Sequence, residues 1–67
     1  MTAYKVKTDQ PIETVKQTIF DKLGIVENNP NFTTVYESVE YGITIDSVYS
    51  LPELEEKLPY NLTPISL

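Results

Sequence analysis

Pro11-Ile12-Glu13-Thr14-Val15-Lys16-Gln17-Thr18-Ile19-Phe20-Asp21-Lys22-Leu23-Gly24 reads as a helix from one end to the other. A proline in the first turn loses nothing, because the N–H it lacks has no intrahelical acceptor there. Asp9 and Glu13 stand beside it, where the positive end of the helix dipole favours acids. Ile12, Val15, Ile19 and Leu23 then recur at helical spacing, and Phe20 widens the stripe. Gly24 supplies the left-handed residue that closes a helix, with Ile25 placed to fold back on Phe20. A single apolar stripe on a helix of this length needs a second layer to cover it, so the flanking segments decide the fold class.

On the N-terminal side, residues 3–8 alternate. Tyr4 and Val6 share one face, and Lys5 and Lys7 the other, the pattern of a half-buried strand whose lysines suit a sheet edge. On the C-terminal side, Glu27-Asn28-Asn29-Pro30-Asn31 is a loop by composition. Residues 32–49 are rich in Thr, Val, Ile, Tyr and Phe and are broken by Gly42. They predict two antiparallel strands, 32–39 and 42–49, joined by a turn near Glu40-Tyr41. Ser50-Leu51-Pro52-Glu53 has the Ser-x-x-Glu form of a capping box. It opens a short helix whose apolar face is Leu51, Leu54 and Leu58, stopped by Pro59. The remaining residues, 60–67, are expected to be extended and to lie against the body through Leu62, Ile65 and Leu67. The prediction is therefore a single small α+β domain over residues 1–67. Its order is β-α-β-β-α, with a helix packed on a short, mainly antiparallel sheet and an extended C-terminal tail.

Charge is distributed unevenly along this chain. Residues 1–24 hold Lys5, Lys7, Lys16 and Lys22 against Asp9, Glu13 and Asp21, a net of +1. Residues 25–67 hold only Lys57 against Glu27, Glu37, Glu40, Asp46, Glu53, Glu55 and Glu56, a net of −6. Arg, His, Cys and Trp are all absent from the sequence. These are the residues most used for phosphate forks, proton shuttling, soft-metal ligation and thiol chemistry. Enzymatic activity is not expected, nor a catalytic residue, cofactor or metal. With no disulfide or metal staple for so short a chain, packing must suffice unless a partner or second copy helps. A net charge of −5 also argues against direct nucleic-acid binding. No apolar run reaches the roughly 18 residues of a membrane span, and the chain opens on no export signal, so a cytoplasmic protein is expected.

What remains is a small acidic module that binds a protein, as adaptor, regulator or inhibitor. Its negative second half would face a basic partner such as a nucleic-acid-binding protein. The candidate contact residues are Glu37, Glu40, Asp46, Glu53 and Glu56, with Tyr41 and Tyr60 as aromatic anchors. Homo-oligomerisation is a further candidate for the interaction.

Two family resemblances cover parts of the chain. Pro11-Ile12-Glu13-Thr14-Val15-Lys16 through Phe20-Asp21-Lys22-Leu23-Gly24-Ile25 resembles the strand-then-helix passage of ubiquitin-like β-grasp proteins. That fold's first strand and its C-terminal diglycine have no counterpart, so conjugation is not implied. Leu23-Gly24-Ile25, Asn28-Asn29-Pro30-Asn31-Phe32 and Asp46-Ser47-Val48 are similar to stretches of acyl carrier proteins. That resemblance implies an alternative function, with Ser47 carrying a phosphopantetheine arm. Pro52 departs from it, because it stands in the helix that should follow the serine.

Overall fold

The first helix, α1 (Ile12–Leu23), keeps both predicted ends. Pro11 is its N-cap, and its carbonyl accepts from the N–H groups of Thr14 and Val15. Gly24 closes it at φ 72, and the Phe20 carbonyl accepts from both Gly24 and Ile25. Val15, Ile19 and Phe20 are buried, with Ile12 and Leu23 half-buried beside them. The computed structural model describes residues 2–65. The other elements are strands β1 (Thr2–Lys7), β2 (Thr33–Ser38), β3 (Gly42–Ser47) and β4 (Asn61–Pro64), and helix α2 (Leu51–Lys57).

The strands form one antiparallel sheet in the order β2-β3-β1-β4. This is the β-α-β-β-α-β chain order of a split β-α-β, ferredoxin-like arrangement. Such a topology hosts many functions and implies none. Two expectations are corrected here. Residues 61–64 of the expected tail are a strand, with Val6 opposite Leu62 and Lys7 opposite Asn61. β1 is not an edge strand, because it lies between β3 and β4. Strand alternation shows which face is wet, and it says nothing about which neighbours are present. The expected contact of Leu67 lies outside the described residues.

Both helices cover the same face of the sheet. Tyr4, Val6, Val35, Ile43, Ile45 and Leu62 meet Val15, Ile19, Phe20, Leu54 and Leu58 in one core. Thr33 and Ser47 also face this side, 0% and 1% exposed, with their hydroxyl oxygens 2.9 Å apart. Among the described residues, every buried side-chain polar atom has a partner. The β2–β3 turn spans residues 39–41 and closes on Gly42, which sits at φ 75. Ser38 Oγ accepts from the N–H groups of Glu40 and Tyr41 and fixes the turn.

The free edge of β2 is obstructed, and that of β4 lacks one donor. Along β2, the Val35 N–H donates to Asn28 Oδ1 at 2.8 Å, and Asn28 Nδ2 donates to the Val35 carbonyl at 3.1 Å. The Asn28 amide thus takes the place of a neighbouring strand. The next residue continues it, its N–H donating to the Thr33 carbonyl. On the other side, the Ile65 N–H donates to Ala3. The antiparallel alternation then turns Pro64 outward, where it has no N–H to offer.

Candidate functional site

The face of the sheet opposite the helices is built by alternation. Wherever Tyr4, Val6, Val35, Ile43 and Ile45 point into the core, their neighbours point out. The register sets Tyr36, Thr44, Lys5 and Thr63 in one row across the four strands. Thr34, Asp46 and Ala3 form the next. Tyr36 is 41% exposed, while Thr44 in the same row is 1% exposed and donates its hydroxyl to the Gly42 carbonyl.

Two hollows include residues of this face. One, of about 220 Å³, is lined by Tyr36, Tyr41, Thr44 and Asp46, with Ala3 and Ile65. The other, wider and about 660 Å³, is lined by Lys5, Lys7, Asp9, Glu40 and Tyr41. Tyr41 lines both, and the lysines line only the wider one. A third hollow of about 380 Å³ lies within the loop 24–30, where Glu27 is the sole ionisable lining residue.

The residues expected to form one negative surface are dispersed. Glu37 is exposed on the helix side of β2, opposite Ile43. Glu40 is exposed in the turn, and Asp46 is half-buried on the open face. Glu53 and Glu56 stand exposed on α2, remote from the groove on the other layer. Tyr60 is half-buried against the core, its hydroxyl donating to Gln10 Oε1 at 2.7 Å. Of the expected residues, Tyr41 meets Asp46 in the smaller hollow and Glu40 in the wider one. Tyr36 lines the smaller hollow too, although it was not among the candidates. Its outward direction follows from the burial of Val35 one residue earlier.

Other candidates have structural employment. The Tyr49 ring takes Phe32 edge-on at 5.4 Å and has Lys57 Nζ 5.3 Å above its face. The Glu53 carboxylate accepts from the Ser50 N–H, its part in the capping box of α2, and also from the Ser50 hydroxyl. The backbone bond, then the hydroxyl, then the Lys57 charge hold its pKa below the ordinary carboxylate range. Ser47 is buried in β3, its Oγ bonded to Thr33 and accepting the N–H of Tyr49. No group of three or more acids converges to hold a metal among the described residues. No described helix is long and apolar enough to cross a membrane. Comparison with known proteins returns no matching family model and no significant match to a curated protein or a solved structure.

Proposed function

We propose that this chain is a non-catalytic protein-binding module that receives its partner on the open face of the sheet. One observation carries the reading: the face that no described helix covers presents Tyr36 and Tyr41 around Asp46. Tyrosine offers large contact area with only two torsions to fix, and it is enriched at interfaces for that reason. The obstructed edge of β2 favours docking on the face over addition of a strand there. The partner is a basic protein, such as one that binds nucleic acid. Glu37, Glu40, Glu53 and Glu56 act on it through the field of a chain with net charge −5, which speeds encounter without demanding contact. The carrier alternative finds no comparable support, because Ser47 is 1% exposed and its hydroxyl is engaged.

The test begins with capture of a partner on the intact chain and continues with kinetics at low and high salt. Glu37→Gln, Glu40→Gln and Glu56→Gln together are expected to slow association more than they speed dissociation. Tyr36→Ala is expected to act on dissociation and to cost about 2 kcal/mol. An affinity indifferent to salt, to the amides and to the tyrosine would refute the reading.

A further inference from the structure

The groove at Asp46 has dimensions and chemistry that select among occupants. Its volume of about 220 Å³ is below the roughly 300–1,000 Å³ of most small-molecule sites. It suits one side chain. Two tyrosines and one carboxylate among its lining residues form a set that attracts a cation with a flat face. Lys5 lies diagonally across from Asp46, because Ala3 pairs with Asp46 and Lys5 with Thr44. It lines the other hollow, and no lysine is among the lining residues of the smaller groove.

We infer that this groove is a socket for one arginine side chain of the protein partner. The guanidinium forks onto the Asp46 carboxylate and stacks on a tyrosine ring, and Thr44 lines the floor. Arginine fits better than lysine because its planar head serves the carboxylate and the ring together. The inference rests on the binding reading above and names the group that the open face reads.

The test is a titration of the intact, ¹⁵N-labelled chain with the peptide acetyl-Gly-Arg-Gly-amide, followed by amide shifts. Parallel titrations carry citrulline or lysine in place of arginine. A single side chain gives a dissociation constant on the order of millimolar. The expected shifts concentrate at Ala3, Tyr36, Tyr41, Thr44 and Asp46. Citrulline should give none there, and lysine should bind more weakly. Asp46→Asn keeps the shape and should weaken arginine binding about tenfold. Tyr36→Leu offers a second reading, with an expected loss of severalfold should the asparagine chain fail to fold. Shifts centred on Glu53, Glu55 and Glu56, equal response to lysine, or indifference to both substitutions would overturn the socket. If the peptide fails while a captured partner still weakens in Tyr36→Ala, the socket is wrong and the docking face stands. If that partner is also indifferent to Tyr36→Ala, both fall.

Discussion

Asn28 shows how much one side chain can settle. Its amide satisfies both backbone groups of Val35, a residue with no exposed surface. Two hydrogen bonds at about 0.5–1.5 kcal/mol net each give an expected cost of about 1–3 kcal/mol for Asn28→Ala, read by urea denaturation. The same change uncovers a donor and an acceptor on a sheet edge, a template for another strand. Sedimentation should therefore show stronger concentration-dependent association in the variant than in the parent. Glu53 makes a different kind of contribution. Its pKa is lowered from 4.5 by bonds that exist only when α2 is folded. Its stabilising effect is complete above that ordinary value and fades as pH falls through the lowered one. Ser50→Ala removes the hydroxyl bond, so the variant should show a shallower loss of stability on acidification. Thermal melts across that pH range check it.

At the scale of elements, α1 is the clearest case of agreement between local and tertiary demands. Ile19 has no exposed surface at the centre of its buried stripe. Ile19→Ala is expected to cost about 2–5 kcal/mol, a large part of the stability of so small a domain, measurable by denaturant titration. The helix was legible because proline, acids, spacing and glycine all announce one structure, and α2 was legible through Ser50, Glu53 and its leucines. β4 was not legible, because Asn61 and Pro64 are poor strand formers and four residues carry little pattern. Its strand character comes from pairing with β1, which no local reading contains. The same limit hid the groove. The outward direction of Tyr36 can be read beside Val35, yet its meeting with Asp46 needs the register of β2 on β3.

On the scale of the whole molecule, the acidity is a field rather than a patch. Lys5 and Lys7 share the open face with Asp46, while Glu13, Asp21, Glu53, Glu55 and Glu56 lie on the helices and Asp9, Glu27 and Glu40 in loops. The described body measures 27 × 23 × 21 Å. At about 0.01 M salt the screening length is roughly 30 Å, so every charge acts across the full width and the net of −5 makes the sum repulsive, whereas at about 0.15 M it is roughly 8 Å. The melting temperature at neutral pH is therefore expected to rise by a few degrees between these conditions. A circular-dichroism melt that moves the other way would mean that attractive pairs outweigh the net charge.

The central place of β1 also sets a timetable. Its neighbours are residues 42–47 and 61–64, so β1 cannot be completed by anything nearby in the chain. The β2–β3 hairpin and the helices are local and form early, while the sheet closes only over long separations. At a synthesis rate of about 5–20 residues per second, Asn61 leaves the peptidyl-transfer site roughly 3–10 seconds after Lys7. For that interval Tyr4 and Val6 have no finished sheet to join.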